Sequence, residues 1–380
     1  MLDRTLVEMG DTIPTGIQPA FALQGREGLS KAKRAERAEP MVRMGRREQA
    51  YHGSPRILLV VGDEESRTIE KGILFGLEGS HPSISGGDEE GFFEELSRRL
   101  WAFACAKDAD HMAISEGAIS REAWERSAIP EQIIAAGHRM DELGLLAPPV
   151  ILRDLVSNGM ARVYERYFNL KRMSEGNLSA WEPDLGVMVI TGTGSVGVDK
   201  RHLQREHLVP VGELMENGVV VWQPEGTATV KPSVEAMEQL AIYRAAPQIP
   251  LRDERGRVIR DAHGAPVTVP AIRALLHTHV GITAYNPELV EVVHIDRERF
   301  PYPFSCGTDL LARATVEAFK KARAFHHADG LPRAVLLDQP NHGIVVAELW
   351  RDPPAVPCFE ATLDLFAAGE IEWTYAIPQV

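Results

Sequence analysis

The segment Ala271–Val280, AIRALLHTHV, is apolar enough to belong inside a protein, yet it carries two imidazoles one residue apart. Side chains at i and i+2 of a strand project to the same side. As a strand, this stretch sends His277 and His279 to one spot and turns Leu276, Thr278 and Val280 the other way. Two neutral imidazoles side by side suit a shared divalent cation. On this spacing alone, two core histidines satisfied by backbone carbonyls are an equal alternative.

A third nitrogen donor is available in LPRAVLLDQPNHGIVVAEL, where His342 follows one apolar strand pattern, precedes a glycine and leads into a second. The adjacent pair His326–His327 competes. It falls near the end of a helical pattern over Thr308–Ala328, where neighbours diverge by about 100° and cations suit the helix end, so it reads as structural. An acidic partner appears in KPSVEAMEQLAIYRAA, which reads as a helix starting near Ser233 with Val234, Met237, Leu240 and Ala241 as its apolar stripe. Glu235 then lies in the first turn, where an acidic residue also suits the helix dipole.

Composition bounds the rest. With 44% hydrophobic and 25% charged residues over 380 positions, the chain is globular and long enough for two domains. A net charge of −13 excludes nucleic acid as the main partner, since phosphate binding needs a basic face. No apolar run is long enough to span a membrane, and MLDRTLVEMGDTIPTG lacks the order of a secretory signal, so a cytoplasmic protein is expected. The three cysteines are far apart, so any metal must be held by nitrogen and oxygen.

Three segments are expected. Residues 1–55 include the basic stretch Gly25–Glu48 and read as a flexible arm. Residues 56–148 read as a small α/β domain of unknown role, with a strand at RILLVVGD and helical patterns at Glu89–Lys107 and Glu122–Leu145. Residues 149–380 open with a helical pattern at Asp154–Leu170 and carry the chemistry. Gly192–Gly197, GTGSVG, spells a dinucleotide fingerprint after a strand, but no long helix is expected to begin there and Pro210 follows early, so a cofactor site of that kind is rejected.

The ordered motifs GNLSA, VITGTGSVG, KPSVE, ALLHTHV, PFSCGTDLLA and AVLLDQPNHGIVV resemble the class II aldolase/adducin family over about Leu152 to Glu348. The resemblance implies a layered α/β/α domain with a mixed or antiparallel central sheet, preceded here by the small α/β domain. It further implies a homotetramer and a divalent metal on His277, His279 and His342, with Glu235 as fourth ligand and catalytic base. Zinc is the first expectation; iron, manganese and cobalt suit the same ligands. The implied reaction is aldol-type cleavage or formation of a carbon–carbon bond in a small hydroxylated carbonyl substrate, sugar or sugar phosphate, with the metal stabilising an enediolate. Asn177, Thr193, Gly194 and Ser233 are the implied anion-binding residues.

Three features depart from the family pattern. Gly192 stands where a proline is usual and Val234 where a second serine is usual, which thins the anion cradle. The tyrosine proton donor does not align; Tyr285, Tyr302 and His294 are substitutes by type only. After Glu348 the tail is short and broken by prolines. An epimerase, dehydratase or iron-dependent oxygenase on the same scaffold, or a non-catalytic adducin-like binding protein, are the alternative readings.

Overall fold

The structure is a computed structural model. It describes the backbone of strands within 20–85 and, more fully, residues 109, 111–146, 176–192, 200–253, 255–296, 299–300, 307–326, 332–339, 342–350 and 357–375. The helical patterns at Glu89–Lys107 and Asp154–Leu170 fall outside the described residues, as does nearly all of the basic stretch Gly25–Glu48.

The N-terminal strands β1 (Ala20–Gly25), β2 (Ile57–Asp63), β3 (Thr68–Gly76), β4 (Gly79–Ser80) and β5 (Ile84–Ser85) form a five-stranded sheet. The expected strand at RILLVVGD is β2. It pairs parallel with β1, so the stretch read as a loose arm contributes a strand to this sheet.

The larger sheet has nine strands. In chain order they are β6 (His111–Ile119), β7 (Asn177–Glu182), β8 (Val187–Thr191), β9 (Leu208–Met215), β10 (Gly218–Pro224), β13 (Ile272–Thr278), β15 (Val290–His294), β16 (Ala334–Gln339) and β17 (Gly343–Leu349). Their spatial order is β15-β16-β17-β13-β7-β8-β9-β10-β6. Only the outermost pairs, β15 with β16 and β10 with β6, are parallel. His111–Ile119, which precedes the boundary expected at residue 148, hydrogen-bonds into the nine-stranded sheet.

Helices cover both faces. On one side lie α1 (Arg121–Arg126), α2 (Ile129–Glu142) and α5 (Glu360–Ala367), packed through Trp124, Ile133, Met140, Leu363 and Phe366. On the other lie α3 (Ala236–Ala245) and α4 (Asp309–Phe319), packed through Leu240, Tyr243, Ala314, Ala318 and Phe319. Strand residues alternate between the two cores as the two-residue period requires: Leu276 and Val346 face the first, Leu275 and Val345 the second. Burial on both faces explains why the central strands read as continuous apolar runs. The layered α/β/α architecture with a mixed sheet is thus the one the motifs implied.

Local chemistry sets several boundaries. The single helix expected at Glu122–Leu145 is two helices, because Ser127 ends α1 and Pro130, which has no N–H to give, falls at the start of α2. From Lys200 the chain makes two short 3₁₀ turns and enters β9. Beyond β17, α5 is one short helix, followed by β18 (Ile371–Tyr375) paired with β14 (Val280–Tyr285). Among the described residues no helix is long and apolar enough to cross a membrane.

Between α3 and β13 the chain builds a unit unnoticed in the sequence. Its stalk pairs β11 (Gln248–Pro250) with β12 (Thr268–Pro270), and above it LRDERGRV is followed by IRDAHGAPV. In both copies the arginine donates to a glycine carbonyl at 2.7 Å and the aspartate side chain accepts two turn amides. Leu251 donates to Val267, Val267 to Ile259 and Ile259 back to Leu251, closing a ring of main-chain hydrogen bonds.

Candidate metal centre

The candidate site lies where β13, β17 and α3 meet. His277 lies next to the last residue of β13 and His279 sits at the bend before β14, while Leu276 and Val280 turn into the first core, as the strand period required. His342 immediately precedes Gly343, the first residue of β17. Gly343 has φ +143°, and a Cβ there would strike the Thr278 carbonyl oxygen and come within 2.8 Å of the His279 Cα. Glycine is therefore what lets the two ligand-bearing segments approach.

The three imidazoles form a nearly regular triangle, with every pair of ring centroids 5.0 Å apart and the His277 and His342 rings stacked at 7°. One ring nitrogen from each falls within 4.8 Å of the other two. Glu235 closes the group from the N-cap of α3, one position before the first turn in which it was expected. Its Oε1 lies 2.8 Å from His342 Nε2 and its Oε2 lies 3.4 Å from His277 Nε2.

A cation fits this arrangement. His277 Nδ1 is 2.9 Å from the Ile344 carbonyl oxygen, which can only accept, so the proton resides on Nδ1. That leaves the Nε2 lone pair buried and aimed at a carboxylate oxygen, with no hydrogen-bond partner. Two electron-rich atoms facing each other away from water need a positive charge between or beside them. Three imidazole nitrogens and a carboxylate form a donor set for zinc or another first-row divalent metal.

The protonation states agree with that use. Burial acts to raise the Glu235 carboxyl, but His277, then His342, then His279 outweigh it and hold the group below the usual carboxylate range. Burial holds the His277 imidazole down at about 3, against the opposing pull of Glu235. An ionised carboxylate beside a neutral imidazole is what a metal ligand set requires.

A second shell surrounds Glu235. Asn177, first residue of β7, donates from Nδ2 to Glu235 Oε2, and its Oδ1 accepts from Gln239 Nε2 on α3. Gly176 before it has φ +76°, and a Cβ there would strike the His277 carbonyl oxygen. Asn177, implied as an anion ligand, is thus committed to Glu235 and Gln239. Ser233 is half-buried; its Oγ accepts from the Glu235 amide at 3.4 Å. Thr193, Gly194, Tyr302 and His327 fall outside the described residues, and His326 ends a 3₁₀ turn. Tyr285 and His294 are exposed on β14 and β15.

The buried face of α3 is not the stripe expected from Val234, Met237, Leu240 and Ala241. Val234, Met237 and Ala241 are only half-buried; Glu235, Glu238 and Gln239 turn inward with Leu240, Ile242 and Tyr243. Glu238 and Gln239 went unnoticed, although positions i+3 and i+4 from Glu235 share its face and both are polar.

Burial, and then the charge on Glu235, push the Glu238 carboxyl up to about 8 from an ordinary 4.5. A folded value above the unfolded one contributes stability that is whole below the unfolded value and is lost as pH rises through the folded one. Thermal unfolding of the metal-free protein should therefore show a melting temperature falling between about pH 5 and about pH 9, and Glu238→Gln should flatten that fall. Parallel declines in the two proteins would assign the pH dependence to other groups.

Comparison with known proteins agrees with this geometry. No curated protein matches the chain. The sequence model described as Class II Aldolase and Adducin N-terminal domain matches residues 160–349, half of the chain, and takes in β7 through β17 with every residue of the centre. The chain belongs to the class II aldolase/adducin family.

Proposed function

We propose that the protein is a divalent-metal-dependent lyase that makes or breaks a carbon–carbon bond in a small hydroxylated carbonyl compound. The observation that carries this reading is the Glu235 carboxylate set against the Nε2 atoms of His277 and His342 inside a buried centre. A scaffold with no chemistry to perform has no need to bury an ionised carboxylate there, which speaks against the adducin-like binding reading.

His277, His279 and His342 would hold the metal, with Glu235 as a fourth donor. A bound divalent cation supplies Lewis acidity to a carbonyl chelated together with its neighbouring hydroxyl. Glu235 would exchange the proton on the reacting carbon or hydroxyl. Asn177, itself held by Gln239, keeps the carboxylate aimed during that exchange. The Ile344 carbonyl fixes the His277 ring and its tautomer. Zinc is the metal of first choice, with iron, manganese and cobalt compatible. By family likeness the working form is a homo-oligomer, a tetramer.

The commitment of Asn177 and the presence of Val234 in place of a hydroxyl leave a thin anion cradle. This supports a substrate that does not depend on a phosphate. It also favours the second reading, an epimerase, dehydratase or iron oxygenase on the same scaffold.

The test is metal analysis of wild type and His279→Ala purified without added metal, followed by screens of aldol cleavage on hydroxy-ketones with and without phosphate. About one zinc per chain, lost in the variant, together with cleavage, is the expected result. Stoichiometric iron with oxygen-sensitive absorption would replace the lyase by the oxygenase, and wild type without metal would overturn both.

A further inference from the structure

The polar contacts of α3 extend beyond Glu235. Glu238, one turn further on, is 5% exposed, and Gln339, the last residue of β16, is 2% exposed. Gln339 donates from Nε2 to Glu238 Oε1 at 2.8 Å and to Thr315 Oγ1 at 3.0 Å. Thr315 is fully buried on α4 and also hydrogen-bonds to Glu238. Three elements, α3, α4 and β16, are thus tied by three polar side chains amid the apolar contacts of that layer.

The main chain of Gln339 supplies the link to the metal centre. Its carbonyl oxygen accepts from the His342 amide at 2.9 Å, closing the turn that carries His342 from the end of β16 into β17. The residue whose side chain is clamped is therefore the residue whose backbone sets the position of a candidate ligand. Burying polar groups costs free energy unless they are hydrogen-bonded, and here Gln339 Nε2 donates twice while its Oε1 has no hydrogen-bond partner. Burial, then Glu235, raise the Glu238 carboxyl above its ordinary value, while Gln339 and Thr315 both hydrogen-bond to it.

We propose that Glu238, Thr315 and Gln339 are positioning residues, forming a buried clamp that fixes the turn delivering His342 and thereby sets the metal affinity of the site. The proposal rests on the metal-binding reading above. It assigns to Gln339 and Glu238, neither of which touches the ligand set through its side chain, the kind of control that outer-shell partners exert on metal ligands.

The experiment uses the full-length metal-free chain with Co(II) as probe, reading affinity by chelator competition and site geometry by ligand-field absorption. Gln339→Met removes the amide at similar volume, and it should weaken Co(II) binding about 10- to 100-fold and change the absorption bands. Glu238→Leu should do likewise. Glu238→Gln should bind as wild type does, because an amide also accepts hydrogen bonds. Thr315→Val, which keeps the shape of the side chain, carries the test if Gln339→Met fails to fold; a weakened and spectrally altered site is expected there too. Gln339→Met and Thr315→Val binding Co(II) with wild-type affinity and spectrum would overturn the clamp while leaving the metal reading intact. Glu238→Gln as damaging as Glu238→Leu would overturn the hydrogen-bonding role of Glu238 in the clamp. Wild type that binds no Co(II) would overturn the metal reading itself and the clamp with it.

Discussion

Replacing Glu235 by glutamine lowers turnover per bound metal by about 10²- to 10⁴-fold, the range supplied by a positioned proton-transfer group. Glutamine keeps the volume and one acceptor for Asn177, so the fold and the three imidazoles stay in place. What it lacks is the negative charge and the ability to take a proton. Metal affinity should fall much less than turnover, because three nitrogen donors remain. Kinetics on samples of matched metal content separate the two effects. Full turnover at matched content would remove Glu235 from the chemistry and leave it a structural ligand.

His342→Ala changes both function and stability. Loss of one of three imidazoles should weaken metal binding by at least about 100-fold, more than removal of an outer-shell partner does. In the metal-free protein it also deprives the buried Glu235 carboxylate of its 2.8 Å partner. A hydrogen bond to a charged group contributes about 1.5–3 kcal/mol, and that loss should appear in urea unfolding. Glu235→Gln in the same chain should recover part of it, since an amide buries more readily than an unpaired carboxylate. Additive losses in the double variant would mean that the two side chains do not interact in the folded protein.

Much of the site is legible in the amino-acid order. Read as a strand, the H-T-H pair in an apolar run puts both imidazoles on one side, as the two-residue period requires. The turn signal around His342 and Gly343 is equally local, and its close approach to Thr278 and His279 explains the glycine.

The errors share one origin. A period of 3.6 identifies a helix but assumes that its buried face is apolar, and α3 buries Glu235, Glu238 and Gln239 because polar partners meet it there. Asn177 is an anion-binding residue by family resemblance alone; the engagement of its side chain with Glu235 depends on β7 lying beside β13. The pairing of β6 with β10 depends on distant residues in the same way. Nothing within His111–Ile119 reveals that its partner is β10, about a hundred residues later.

The sequence by itself determined the strands around the histidines and the donor types available to a metal, since each depends on residues within a turn or two of one another. The tertiary structure alone decided which donors converge, which carboxylate stays ionised and which partners hold it. Those properties arise from side chains brought together from distant parts of the chain, Asn177 with Glu235 and Glu238 with Gln339, and from the exclusion of water around them.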